Sequence, residues 1–311
     1  MKLNIIKNSK YFYLFSGTLL LISLLSLIAW GLKPGIDFTG GSFLELNFMA
    51  GRPATGDIQK ALTGLDLGEL KIQESGEKNI ILRFKHIDEE THQKIISQIR
   101  DNFKNERDPA QVVQEERFES VGPIIGKELR DRSWLAIFLA SIMIIGYIAY
   151  AFRKVSKPVA SWKFGVIAVV ALIHDILIVT GTFSLLGHLA GVEVDSLFIT
   201  ALLTILGFSV HDTIVVFDRT RENLKINHEY REKKPFDEIV GKSVTQTFTR
   251  SINTSLTTLI ALLILYIFGS EATRYFSLAL IVGILVGTYS SIFIASTLLV
   301  SVEKWQGKKQ V

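Results

Sequence analysis

Residues 196–217 read SLFITALLTILGFSVHDTIVVF, a run of 22 positions with no lysine, arginine or glutamate and one aspartate, Asp212. A bilayer core of roughly 30 Å is crossed by about 20 helical residues. Unpaired backbone groups in lipid force such a run to be helical. The stretch therefore predicts a transmembrane helix, and it sets the class of the fold. Five more runs share its character: Tyr11–Leu32, Ser133–Phe152, Phe164–Val192 (interrupted by His174, Asp175 and His188), Ser251–Ser270 and Tyr275–Val302. The expectation is six spans. Composition agrees: the chain is 48% hydrophobic and 21% charged, and the charges cluster between long charge-free runs.

Orientation follows from lysine and arginine. Residues 1–10 carry three basic residues, 153–163 carry four (Arg153, Lys154, Lys157, Lys163), 218–250 carry eight and 303–311 carry three. The two short connections on the other side, 184–195 and 270–274, carry only Arg274. The asymmetry alternates correctly through six spans and places both termini in the cytoplasm. Lys2, Lys7 and Lys10 before the first run, with Ala29-Trp30-Gly31 after it, faintly resemble a signal peptide. Its apolar stretch exceeds the usual 7–15 residues or so of such a segment, so it is expected to remain as a first span.

The chain thus divides into residues 1–32 (N-terminus and first span), a water-soluble domain 33–132, five further spans over 133–302 with a cytoplasmic loop 218–250, and a tail 303–311. In the domain, Ser42–Phe48 reads as a strand and Thr55–Leu65 as a helix with Thr55 as its cap. Glu69–Gln73 and Asn79–Phe84 read as a hairpin through Ser75-Gly76-Glu77-Lys78. Asp88–Lys104 reads as a helix capped by Asp88, with Ile95, Ile96, Ile99 and Phe103 on one face, and Gln111–Val121 as a last strand. The order β-α-β-β-α-β is the ferredoxin-like pattern. Its sheet edges are open to pairing or else covered. Glycine-bearing loops join it to the spans: Gly35, Asp37, Gly40 and Gly41 on one side, Gly122, Pro123 and Gly126 on the other. Glycine and proline there need no reason beyond the turn itself. Phe236, Ile239, Val240, Val244 and Phe248 recur at helical spacing, as in an amphipathic helix on the cytoplasmic membrane surface. Gly283 and Gly287 form a G-x-x-x-G in the last span, which permits close helix contact.

Of the 30 acidic residues, two fall inside spans: Asp175 and Asp212, each preceded by a histidine, His174 and His211. An ionised aspartate at a helix centre costs about 2.5–3.5 kcal/mol on insertion scales, and such residues usually face other helices or water and carry function. Asp212 lies six residues before Asp218, roughly 9 Å inside the boundary. On the next span Arg250, Asn253, Thr254, Thr257 and Thr258 share one helical face. Arginine has the length to reach inward. An aspartate, a guanidinium and hydroxyls make a water-accessible proton relay, with Asp212 and Arg250 as its principal pair.

Function classes are narrowed further by what is missing. There is no cysteine, which excludes disulfides and thiolate metal sites, and the six histidines form no metal constellation. Neither a nucleotide-binding loop nor a catalytic triad is present. No cofactor, no metal and no nucleic-acid partner is expected.

Residues 207–219, Gly-Phe-Ser-Val-His-Asp-Thr-Ile-Val-Val-Phe-Asp-Arg, resemble the fourth-span motif of the SecD/SecF family of protein-export membrane proteins, within the resistance–nodulation–division superfamily. Arg-Glu-Asn at 221–223, Arg250 through Thr258, Gly-Ile-Asp-Phe-Thr-Gly-Gly at 35–41, Val-Gly-Pro at 121–123 and His174-Asp175 continue the match, so it spans nearly the whole chain. The resemblance implies a membrane all-α six-helix bundle, half of a pseudo-symmetric assembly, with an inserted α+β ferredoxin-like periplasmic domain. It implies residence in the bacterial inner membrane and partnership with SecD, the SecYEG channel, the translocating preprotein and YajC. Protons are the implied coupling ion, and Asp212 and Arg250 fall on the positions of the proton pathway. His211 stands where asparagine is expected in many relatives. His174, Asp175, His211, Asn253, Thr254 and Thr257 are candidates for supporting that pathway, while Gly35, Asp37, Gly40, Gly41, Gly122, Pro123, Gly207, Gly283 and Gly287 read as structural.

Two other readings compete. An intramembrane aspartyl protease would also place two aspartates on neighbouring spans, but neither stands in a Gly-x-Gly-Asp context here. Half of a proton-coupled small-molecule exporter would share the helices and the acid.

Overall fold

The computed structural model of the chain describes residues 5–49, 51–103, 113–151, 161–231 and 234–307. Lys2, Lys104, Gln111, Arg153, Lys154, Lys157, Lys233, Lys308 and Lys309, which entered the sequence reading, lie outside the described residues. Two compact units emerge, one of residues 1–33 with 135–311, the other of residues 34–134.

The second unit is built on period-two alternation. In β1 (Gly41–Phe48) Leu44, Leu46 and Phe48 point inward, as do Ile80, Leu82 and Phe84 of β3 (Asn79–Phe84). They pack against Ile58 and Leu62 near α3 (Thr55–Ala61) and Ile95, Ile96 and Ile99 of α4 (Glu89–Asn102). Each fully buried side chain of this kind contributes about 1.5–3 kcal/mol. With β2 (Lys71–Ser75) and β4 (Val113–Val121) the sheet order is β2-β3-β1-β4, every neighbour antiparallel. This is the ferredoxin-like arrangement. A short helix, α2 (Ile36–Thr39), precedes it.

The details correct the reading of this domain in three places. Thr55 is the first helical residue and Ala54 the cap, and α3 stops at Ala61. Strand β2 begins two residues later than expected, so Ser75 pairs with Asn79 and Gly76, at φ +58°, takes the left-handed turn position. The glycine loops do more than turn. Gly40 has φ +74°, and a Cβ there would lie 2.8 Å from the backbone of Pro123; one on Gly126 would lie 2.8 Å from the backbone of Gly40. Two backbones touch at that point, and only glycine leaves room. Gly122 has open space around it.

In the first unit, six helices among the described residues are long and apolar enough to cross a membrane. These are α1 (Ser9–Trp30), α5 (Pro123–Ala151), α6 (Ser161–Ala190), α7 (Ser196–Glu229), α8 (Phe236–Phe268) and the last span. That last span joins α9 (Glu271–Tyr289), a π-helical turn Ser290–Ala295, and α10 (Ser296–Gly307). The inside is made by α6, α7 and the last span, while α1, α5 and α8 turn apolar faces outward. Small residues set the closest approaches. A Cβ on Gly283 would overlap the Ile205 side chain, one on Gly287 would lie 3.2 Å from Ser209, and one on Gly181 would overlap Ser23. The G-x-x-x-G thus packs the last span onto α7.

The region 218–250 is not a loop. It extends α7 and α8 as a long hairpin, and the expected surface amphipathic helix is the first part of α8. Phe236, Val240 and Val244 sit in the same core as Phe164, Phe217, Ile292 and Leu299. Their apolar face meets protein instead of the membrane surface.

Candidate functional site

Two acidic centres lie in the helical unit, and they are built differently. Asp212 is on the face of α7 turned to α8, where Ser251 Oγ donates to its Oδ1 at 2.9 Å. The carboxylate is buried, and among the described residues its Oδ2 has no hydrogen-bond partner. A carboxylate oxygen held out of water with nothing to accept from is costly unless it takes a proton or a cation.

The expected partner does not fill that role. Arg250 is exposed and makes no ion pair with Asp212 among the described residues; it stands one residue before the serine that does bond. The stripe Arg250, Asn253, Thr254 and Thr257 is exposed in this chain, and the buried polar stripe of α8 is Ser243, Thr247, Ser251 and Ser255. Helical spacing correctly gave a polar face but missed its phase. The residues facing inward are three serines and Thr247, none of which the sequence singled out. His211 is exposed too, as its place next to Asp212 along the helix turns it outward.

Asp175, on α6, is fully enclosed and fully partnered. Its Oδ2 accepts from Ser209 Oγ at 2.5 Å and from Ser290 Oγ at 2.8 Å, and its Oδ1 faces His174 Nδ1 at 2.9 Å. His174 Nε2 lies 3.1 Å from Ser16 Oγ, whose hydroxyl proton goes to Tyr289 Oη, and Tyr289 in turn donates to the carbonyl of Phe12. With each hydroxyl proton so used, Nε2 must be the donor to Ser16. This network ties α1, α6, α7 and the last span together. Only the adjacent His174-Asp175 signalled it in sequence; Ser16, Ser209 and the Tyr289-Ser290 pair come from three separate stretches.

A third polar cluster joins the α7–α8 hairpin. Asn223 Nδ2 donates to Ser243 Oγ and to Gln246 Oε1, each at 2.8 Å, and Arg219 Nε donates to the same Gln246 oxygen at 2.8 Å. Arg219 also pairs with Glu222. No group of three or more metal-ligating side chains occurs among the described residues. The chemistry this arrangement offers is acceptance and release of a proton at Asp212, beside a second acid held closed.

Comparison with known proteins follows the same lines. The family model described as Protein export membrane protein SecD/SecF, C-terminal, matches residues 101–305. Protein translocase subunit SecF of Thermobaculum terrenum is 44% identical over 310 residues, covering 96% of this chain and 92% of that one. The protein of the same name from Synechocystis sp. is 36% identical over 322 residues, covering 99% and 97%. The crystal structure of SecDF, a translocon-associated membrane protein from Thermus thermophilus, matches with a TM-score of 0.80 at 31% identity, over 98% of this chain and 39% of that chain. SecDF in a super-membrane-facing form matches with a TM-score of 0.68 at 31% identity, over 100% and 40%. The chain spans nearly the full length of the SecF relatives and about two fifths of the SecDF chains.

Proposed function

The chain belongs to the SecD/SecF family of protein-export membrane proteins, and from that premise we propose that it is a SecF-type subunit that pairs with SecD and spends the proton-motive force on preprotein translocation. A multi-pass membrane protein of the Sec export type follows from the family and the six spans. The finer reading places it in the bacterial inner membrane, with both termini cytoplasmic and residues 33–132 outside, working with the SecYEG channel, the preprotein and YajC.

The observation that carries the proton reading is Asp212: a buried carboxylate in a membrane span, one oxygen held by Ser251 and the other without a partner. Protonation at Oδ2 removes the charge. A unit charge crossing 100 mV is worth about 2.3 kcal/mol. A few such steps suffice to bias a two-state equilibrium. Pairing with SecD is supported by the exposed Arg250 and Asn253, polar groups on a membrane helix that lipid would leave unsatisfied. The protease reading finds no support: Asp175 and Asp212 share no hydrogen bond, and each is held by other partners.

The test is export driven by an imposed proton gradient in membrane vesicles. Asp212→Asn is expected to abolish the gradient-dependent part and leave insertion and partner assembly intact. Full export by that variant would end the proton reading.

A further inference from the structure

The last span changes from α to π helix over Ser290–Ala295. Proline, the commonest cause of a disrupted helix, is absent from it. Single π turns inside α-helices occur frequently at functional sites. This one begins at two serines, one bonded to Asp175 and the other to the residue that follows Asp212. Ser290 Oγ donates to Asp175 Oδ2 at 2.8 Å. Ser291 Oγ lies 2.8 Å from Thr213 Oγ1, on the residue after Asp212, and donates to the carbonyl of Ser209 at 3.3 Å. In a regular helix the two serines point about 100° apart, so one turn can address both centres at once.

We infer that the Ser290–Ala295 π turn couples Asp212 to Asp175, with Ser290, Ser291 and Thr213 as positioning residues for the proton-driven step. This rests on Asp212 as the proton acceptor. The ionisable groups beside the two centres are His174 and Tyr289 near Asp175, and His211 and Arg250 near Asp212. When Asp212 is neutral its hold on α7 and α8 changes, Thr213 moves, and Ser291 follows. The turn then has an alternative in which the i→i+5 bonds close as i→i+4. That exchange moves everything after Ala295 by one residue, a rotation of about 100° and a rise of about 1.5 Å. The moving part is α10, where Ser301 Oγ meets Tyr13 Oη at 3.0 Å and Lys304 pairs with Asp237 at 3.1 Å. A change at one carboxylate thus reaches contacts with α1 and α8 that lie beyond the turn.

The chain has no cysteine, so introduced thiols are the only ones it carries. Tyr13→Cys with Ser301→Cys reports on the segment after the turn. Ser255→Cys with Thr288→Cys, at a hydroxyl pair 2.5 Å apart before the turn, is the control. Both pairs are crosslinked with a short bifunctional thiol reagent in membranes holding the assembled complex. Ser290→Ala, Ser291→Ala and Asp212→Asn are each expected to cut the 13–301 yield roughly fivefold, the equivalent of one lost hydrogen bond, with the control pair unchanged. Ser290→Thr is expected to restore it. Unchanged 13–301 yield in all three variants would overturn the coupling. Loss of both pairs in any one variant signals misfolding there, and the remaining variants then decide. If Asp212→Asn stops export while leaving crosslinking as in the parent, the coupling fails and the proton reading stands. Full export by that variant sinks the proton reading itself.

Discussion

Asp175 and Asp212 are the same residue type on adjacent spans, yet their surroundings assign them different work. Asp175 is saturated by Ser209, Ser290 and His174, whereas Asp212 keeps one oxygen without a partner. The difference predicts different costs. Asp175→Ala leaves an imidazole and two hydroxyls without their acceptor in a dry interior. It is expected to destabilise the helical unit by about 3 kcal/mol or more, read as a lowered midpoint of thermal unfolding in detergent. Asp212→Asn removes a charge from a site that holds it with one bond, so its unfolding midpoint should stay close to the parent's while its transport fails. Equal midpoints for the two variants would show that the His174–Asp175 network does not organise the bundle. The sequence showed both aspartates and both histidines as anomalies of the membrane interior. It did not show that His211 faces out while His174 faces in, because that depends on the phase of each helix against neighbours distant in the chain.

At the scale of elements, legibility tracked periodicity. Strands β1 and β3 were placed within a residue, and α4 starts after its expected cap Asp88 but ends at Asn102, two residues before the expected Lys104. The side chain of Asp88 accepts from the Thr91 amide at 3.0 Å, and hydrogen bonding with Thr91 holds its carboxyl below the usual range. A group whose pKa is lowered by folding adds stability above its unfolded value and loses it as the pH falls through its folded value. Amide exchange in the first turn of α4 is therefore expected to stay slow at neutral pH and to quicken, after correction for intrinsic rates, as the pH drops below the ordinary aspartate range. Asp88→Ala should show the quick rate at every pH. A pH-independent first turn in the parent protein would remove the cap from the account. The α7–α8 hairpin was missed for a different reason. Residues 218–250 read as a cytoplasmic connection holding a surface helix, and nothing in a one-dimensional pattern reveals that Asn223, Ser243 and Gln246 close it from within. The π turn was invisible for the same cause, since its serines become informative only once Asp175 and Thr213 stand opposite them.

The helical unit is a bundle with one polar face turned outward. Helix α8 buries serines toward Asp212 and shows Asn253, Thr254 and Thr257 outward, together with exposed Ile252, Leu256 and Ile260. Lipid accepts the apolar residues and not the amide of Asn253, which in hydrocarbon has no partner. The SecDF chains that this one matches are some two and a half times its length, and it covers 39% and 40% of them. A cover for that face of α8 is what the proposed SecD partner would supply. If SecD covers it, replacing the polar residues by leucine should harm assembly more than it harms the chain. Asn253→Leu combined with Thr257→Leu is expected to insert normally and to unfold no earlier than the parent. Recovery of SecD on affinity purification should fall by roughly an order of magnitude, as expected when two buried polar contacts of about 1 kcal/mol each are lost at an interface. Undiminished recovery of SecD, with a raised unfolding midpoint, would mean that lipid already faces this side of α8. The partner would then have to be sought on the outward faces of α1 and of α5 from Trp134 onward, whose exposed residues are almost wholly apolar.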